Sequence, residues 1–208
     1  MVSGTTPPET RSSGRTVLRM SEDHQPEPHG RWVVRGERTL YESPWVRLTK
    51  VDVEEPGGRR FEHHVVRMNR VAGAVVPNDR DEVLMLWRHR FIAGSWGWEL
   101  PMGIVETAET PLAAAAREVE EETGWRPYGL RRIAAFQPAI GIADTPHEIF
   151  AADGAERQGA PRDTSEGGQV AWIDLSTVRE RIAKGEILDA PSMIGLLLYL
   201  NEVGSACQ

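Results

Sequence analysis

The sequence predicts an α/β domain of layered architecture with a mixed sheet, preceded by a small antiparallel β-sheet. Three observations carry this. Strand-like runs mix with a few helices, without strict alternation between the two. Two of those runs, "AGAVVP" and "EVLMLWRHR", are almost continuously apolar, as strands covered on both faces are. One helix, "LAAAAREVEEET", carries its own start and stop signals.

In chain order, residues 1–30 are rich in Ser, Thr, Pro, Gly and charge. Such a stretch cannot bury enough apolar surface to offset its ordering entropy, which predicts a disordered tail. Met20 within it is a second candidate start of translation. Residues 31–68 alternate β-branched and aromatic residues with charges and are broken by "EPGG", which predicts a hairpin between Trp45–Glu54 and Arg60–Met68. The main domain then spans 69–208. Its two apolar strands are joined by a polar turn at Asn78–Asp81, and "FIAGSWGWELPMG" reads as loop. Thr110 suits the N-cap of the next helix, Pro111 its first position and Gly124 a left-handed C-terminal residue. Strands follow near Leu130–Phe136, His147–Ala152 and Gln169–Asp174, with a polar loop from Asp153 to Gly168. Helices are expected near Ser176–Lys184 and Pro191–Val203.

Composition narrows the function. With 208 residues, 40% hydrophobic and 26% charged, the chain is one ordinary domain or one with a small appendage. A net charge of -7 argues against a nucleic-acid partner, which would demand a basic face. It leaves room for a small anionic substrate, because a divalent cation reverses the local field. Cys207 is the single cysteine, so neither an internal disulfide nor a thiolate metal site is expected. The longest apolar run, "MIGLLLYL", is too short to span a membrane, and a secretory signal pattern is lacking; the expectation is a cytoplasmic protein.

The acidic helix poses the chemical question. Glu118, Glu121 and Glu122 stand at i, i+3 and i+4, so their carboxylates share one face. Like charges so placed cost about 0.2–0.5 kcal/mol per pair, and the C-terminal half of a helix disfavours anions. A solvated acidic face is the ordinary explanation of such a run. A hard dication with oxygen ligands would instead offset both penalties. The spacing decides between them: Gly103, then Glu109 after five residues, then Arg117-Glu118-Val119-Glu120-Glu121-Glu122-Thr123-Gly124-Trp125 after seven. Seven fixed positions at ordinary residue usage match by chance on the order of 10⁻⁶ in a chain this long.

This pattern is identified as the box of the Nudix hydrolases, and residues 31–203 resemble their ADP-ribose pyrophosphatase branch. "WELPMGIVE" is similar to that branch's lead-in to the box, "RHRF" to its preceding strand and "ILDAPSMIGLLLYL" to its closing helix. The resemblance implies a Nudix-type α/β/α sandwich and hydrolysis of a nucleoside diphosphate linked to another moiety, with Mg²⁺, or Mn²⁺ in its place. It implies Glu118, Glu121, Glu122 and the Met102 carbonyl as metal ligands. Arg117, placed with the catalytic group, would hold the carboxylates by charge-assisted hydrogen bonds, and Glu109 would support the helix start. Glu121 would also act in catalysis, and Glu166 in the loop before the last strand is the candidate general base. Arg90, Glu99, Trp98 and Gly141 fall on the substrate side, where a tryptophan face could stack on a base. The first sheet resembles the one that related pyrophosphatases use in intertwined homodimers. One departure stands out: Ile140 occupies the position before Gly141 where the branch carries proline, which predicts a differently shaped loop. Alternatives are a Nudix hydrolase of another nucleotide class, such as a dinucleotide or modified nucleotide, and a non-catalytic nucleotide sensor.

Overall fold

The computed structural model describes residues 30–162 and 168–206. The expected tail (apart from Gly30), Glu166 and Cys207 therefore lie outside the described residues. The described residues open with three antiparallel strands, β1 (Val33–Glu42), β2 (Val46–Glu54) and β3 (Arg60–Met68). The β2–β3 hairpin lies where expected, beginning one residue later at Val46, closed by Glu55 N–H donating to the Arg59 carbonyl, with Gly58 at a φ of 83°.

Then follow β4 (Val71–Val75), β5 (Glu82–Arg90), β6 (Ser95–Glu99), β7 (Met102–Ile104) and α1 (Pro111–Thr123). The second half holds β8 (Trp125–Tyr128), β9 (Arg131–Phe136), β10 (Ala143–Asp144), β11 (His147–Ala151), β12 (Gly154–Arg157) and β13 (Gln169–Asp174). A 3₁₀ turn at Leu175–Thr177, α2 (Val178–Ala183) and α3 (Ala190–Ala206) complete it.

The central sheet runs β7-β4-β11-β9, with β4 and β11 parallel and the outer pairs antiparallel. A second sheet, β13-β5-β6, is wholly antiparallel. This is the mixed α/β class that the sequence predicts. β10 adds a short parallel strand to β3 and so ties the first sheet to the main domain.

Both faces of β4 are covered, which explains its unbroken apolar sequence. Ala72, Ala74 and, just past the strand, Val76 pack with Ala114, Ala115 and Val119 of α1. Val75 faces the other way, into a core with Ile149, Leu100 and Leu196 of α3. Here the alanines before the acidic run find their use: small side chains let α1 lie close on the sheet. Thr110 caps α1 through its hydroxyl, which accepts from Ala113 N–H, and Gly124 ends it at a φ of 73°.

The structure corrects two loop expectations. "FIAGSWGWELPMG" holds β6 and β7, because its aromatics pack across the hairpin: Trp87 lies 5.2 Å from Trp98 and stacks on Trp96 at 6.1 Å between ring centroids. Its glycine content marks a close approach, since a Cβ on Gly97 would stand 3.3 Å from the Glu186 carbonyl. The polar stretch after residue 153 holds β12, which pairs with β8 right after the helix stop.

Two glycines of α3 offer a controlled comparison. A Cβ on Gly195 would meet Ile149 Cγ2 at 2.9 Å and Leu100 Cδ1 at 3.0 Å, whereas one on Gly204 meets nothing within 4 Å. Helix propensity alone favours alanine at either position by about 0.5–1 kcal/mol. Overpacking costs about 1–3 kcal/mol and should win at the first position. Gly195→Ala is expected to lower the denaturation midpoint and Gly204→Ala to hold or raise it, as measured by urea unfolding.

Candidate active site

Gly103 and Glu118 approach so closely that any side chain at residue 103 would have to displace the Glu118 carboxylate from where it stands. A Cβ on Gly103 would fall 2.2 Å from the Glu118 carboxyl carbon. The box glycine is thus the space into which a box carboxylate folds, and β7 is pressed against the middle of α1.

Arg117 organises the cluster. Its Nε and Nη2 donate to the two oxygens of Glu109 at 3.0 and 3.1 Å. Nη1 donates to Glu118 at 2.8 Å and Glu121 at 3.0 Å, and Nη2 also to the Ile104 carbonyl at 3.0 Å. Each of the five guanidinium N–H groups therefore has an acceptor. The hydrogen bond from Arg117 holds Glu109 below the usual carboxylate range. Glu109 also accepts from Glu106 N–H, so it fastens the chain ahead of the helix as well.

Glu122 is handled separately. It is buried, accepts from Met102 N–H at 3.1 Å and pairs with the equally buried Arg88 at 2.5 Å. Desolvation pushes its carboxyl up to about 7 against the pull of Arg88. Burial likewise raises Glu118, opposed by Arg117.

Among the described residues no three carboxylate, imidazole or thiol groups converge, as they stand, on a point that a metal ion could occupy. Arginines hold the space between them. The donor set nonetheless suits a hard dication: the carboxylates are oxygen-only, two are partly stripped of water, and the cradle over Glu118 is kept open by a missing Cβ.

The hairpin of β5 and β6 has two unlike faces. Trp87, His89, Trp96 and Trp98 share one, where His89 lies 5.4 Å from Trp96. Arg88, Arg90 and Glu99 share the other. Arg90 grips Glu99 with Nε at 3.0 and 3.1 Å from its two oxygens and Nη2 at 2.6 Å. The substrate-side residues expected from sequence are accordingly divided. Arg90 and Glu99 come together, but Trp98 lies on the opposite face and packs against the main core. Gly141 lines a different groove, near Trp32 and Val34. Sequence reasoning missed Arg88; its signal was present as a charged residue in an apolar strand, two positions before Arg90 and so on the same face.

Comparison with known proteins places these features in context. A family model described as "NUDIX domain" matches residues 67–191. The CMP-5'-(N-acetyl-N-hydroxy-3-aminopropyl)phosphonate hydrolase of Streptomyces rubellomurinus is 42% identical over 86% of this chain and 86% of that protein. An ADP-ribose pyrophosphatase of Mycobacterium tuberculosis is 27% identical over 76% of this chain and 78% of that one. An ADP-sugar pyrophosphatase of Mus musculus is 30% identical over 83% of each. A solved structure described as "Crystal structure of ADP compounds hydrolase" superposes with a TM-score of 0.75 and 18% identity, covering 84% of this chain and 95% of that one.

The raised Glu122 sets a stability slope. Its folded value of about 7 exceeds the ordinary 4.5, so its contribution is fully present below about 4.5 and is lost as pH rises through about 7. Metal-free wild type is expected to lose stability across that window relative to Glu122→Gln, which has no proton to release. Urea midpoints measured from pH 4.5 to 7.5 check this, and parallel curves for the two proteins would refute it.

Proposed function

The chain belongs to the NUDIX domain family, in its ADP-ribose pyrophosphatase-like branch, and is a pyrophosphohydrolase; from that premise we propose that it hydrolyses the phosphoanhydride of ADP-ribose or a related nucleoside-diphosphate sugar. The products are a nucleoside monophosphate and a sugar phosphate, and the reaction uses Mg²⁺, with Mn²⁺ as a substitute. The observation that carries this reading is the closure of Gly103 over Glu118, with Glu121 and Glu122 held beside it by arginines.

In this reading Glu118, Glu122, Glu121 and the Met102 carbonyl hold the metal. A bound dication would neutralise the diphosphate and lower the pKa of an attacking water. Arg117 keeps three carboxylates from drifting apart, and Arg88 does the same for Glu122. Both are positioning residues. Arg90 and Glu99 contact the substrate, Trp98 and Gly141 lie away from them on another face and in another groove, and Glu166 takes the proton of the attacking water. No nucleic acid or membrane takes part, and the setting is the cytoplasm; among the described residues no helix is long and apolar enough to cross a membrane.

A second reading has its own support. The Streptomyces rubellomurinus relative is named for a CMP-linked phosphonate, and Ile140 stands where the branch carries proline. A nucleoside phosphate joined to a phosphonate presents the same anhydride to the same carboxylates. The two readings separate on a panel of ADP-ribose, other nucleoside-diphosphate sugars and a CMP-linked phosphonate, with products resolved by chromatography. AMP from ADP-ribose is expected; cleavage of the phosphonate alone would select the second reading. Glu118→Gln should cut turnover at least about a hundredfold, beyond the 10–100-fold typical of a supporting partner, whereas Arg88→Lys should fall within that range. Near-full activity of Glu118→Gln would remove the metal assignment.

The assembly in this reading is a homodimer through the first sheet, residues 31–68. A groove of about 620 Å³ runs between that sheet and the loop carrying Ile140, lined by Trp32, Val34, Ile140 and Ile142. All four are exposed in the single chain, Ile140 to 83%, and apolar surface of that kind favours a partner. Sedimentation is expected to give a dimer for wild type and a monomer for Trp32→Glu combined with Ile140→Glu.

A further inference from the structure

A cavity of about 420 Å³ opens where the β4–β5 turn, β8, β12 and β13 meet. Its wall carries Trp125, Tyr128 and Trp172 together with Asp79, Arg80 and Asp153. None of these belongs to the carboxylate cluster around Arg117 and Arg88. The volume lies in the range of small-molecule sites.

Local structure fixes each part of the wall. Asn78 Oδ1 accepts from Arg80 N–H at 2.9 Å and from Glu82 N–H at 3.1 Å, which sets the turn that presents Asp79. Asp153 N–H donates to the Tyr128 carbonyl at 2.9 Å. A Cβ on Gly129 would collide with the Asp153 carboxylate, so that carboxylate lies over bare backbone. Gly154, opposite Tyr128 in the ladder, leaves the same kind of room for the phenol, whose hydroxyl a Cβ there would strike. Trp125 and Trp172 meet edge to face, with ring centroids 5.1 Å apart and planes at 87°.

Charge and ring geometry together select the guest. Arg80 is matched by Glu82 at 3.2 Å. The charge of Asp153 reaches Arg131, but that guanidinium donates to Glu202 at 2.6 Å. Asp79 and Asp153 make no ion pair among the described residues, so an anion entering the cavity is repelled and a cation is drawn in. A planar base asks for a parallel ring face on which to stack, whereas two perpendicular indoles make a corner. A compact cation suits a corner, because it gains from each ring face within about 6 Å. The pairing is already in use beside the cavity: Arg157, which is not part of the wall, holds its guanidinium 5.5 Å from the centre of the Trp125 ring. That leaves Trp172 and the half-exposed Tyr128 as the rings open to a guest.

We propose that this cavity is a binding site for a methylated ammonium group of a small molecule, with Trp172 and Tyr128 against its methyl shell and Asp79 and Asp153 balancing its charge. A bare ammonium is strongly hydrated, whereas methyl groups give up water readily to ring faces. The site is separate from the reaction read for the carboxylate cluster.

Binding needs no turnover and can be measured directly. The full chain is titrated at constant ionic strength with choline and with its uncharged carbon isostere, 3,3-dimethylbutan-1-ol, while the indole N–H signals are followed by NMR. Choline is expected to move the Trp125 and Trp172 signals and to bind at least about tenfold more tightly than the alcohol. Equal binding of the two would reduce the cavity to an apolar hollow, and indole signals unmoved by choline would leave no site; either result overturns the proposal.

Variants divide the roles within the wall. Asp79→Asn combined with Asp153→Asn keeps size and shape, and is expected to erase most of the advantage of choline while leaving the alcohol unchanged. Tyr128→Leu, at a half-exposed position, is expected to weaken choline about threefold or more. Wild-type choline affinity in the double carboxamide variant or in Tyr128→Leu would remove that part of the wall and overturn the assignment.

Discussion

Everything around the acidic turn depends on arginine neutralisation. Three carboxylates on one helix face repel one another, and Glu118 and Glu122 also give up water. The repulsion costs a few tenths of a kcal/mol per pair, but desolvating a charge costs far more unless it is paired. Arg117 answers the first problem with five donors aimed at Glu109, Glu118, Glu121 and a carbonyl. Arg88 answers the second from the neighbouring sheet. Lysine could serve neither role as well, since the guanidinium fork reaches several oxygens from one fixed plane. The bond to Glu121 is the most exposed of the set and contributes least to stability, so Glu121 is the carboxylate freest to change partners.

The same arrangement resolves an apparent contradiction between spacing and geometry. The spacing of the carboxylates belongs to a metal site, yet without metal they do not converge on one point. Carboxylates gathered on one turn must be neutralised by something, and the two arginines do so here. The box glycine belongs to this economy too. It leaves room for the Glu118 carboxylate where that group now stands, with no demand from backbone conformation, whereas Gly124 at the far end of the helix answers a left-handed φ.

Much of this was legible in the sequence. The helix boundaries were written by Thr110, Pro111 and Gly124, local signals that tertiary structure had no reason to override. The β2–β3 hairpin and the apolar strands β4 and β5 were equally plain, because periodicity and turn residues agreed. The hairpin of β6 was hidden, since its glycines and proline signal loop while its pairing is driven by tryptophans packing across to Trp87. At the site, box spacing named the carboxylates and Arg117. Arg88 was not legible, because it acts through a contact distant in sequence, thirty-four residues to Glu122. Trp98 shows the reverse error of a nearby motif, for alternation along β6 sends it away from Glu99.

Strand β5 is the element that turns these contacts into one site. Side chains alternate along it, so Arg88 and Arg90 face the same way, and a slip of one residue would carry both to the aromatic side. The register is held on both flanks: β13 pairs with it from Gln169 opposite Trp87 to Asp174 opposite Glu82, and β6 pairs from Glu99 opposite Leu86 to Ser95 opposite Arg90. The aromatic face adds a penalty for error, since a slip would drive two guanidinium groups among Trp96 and Trp98. Arg88 thereby fixes Glu122, while Arg90, one repeat along, fixes Glu99. The separation between these two ion pairs is then set by the rise of a β-strand. Where the two arginines stand relative to each other therefore comes from backbone geometry more than from any single side chain.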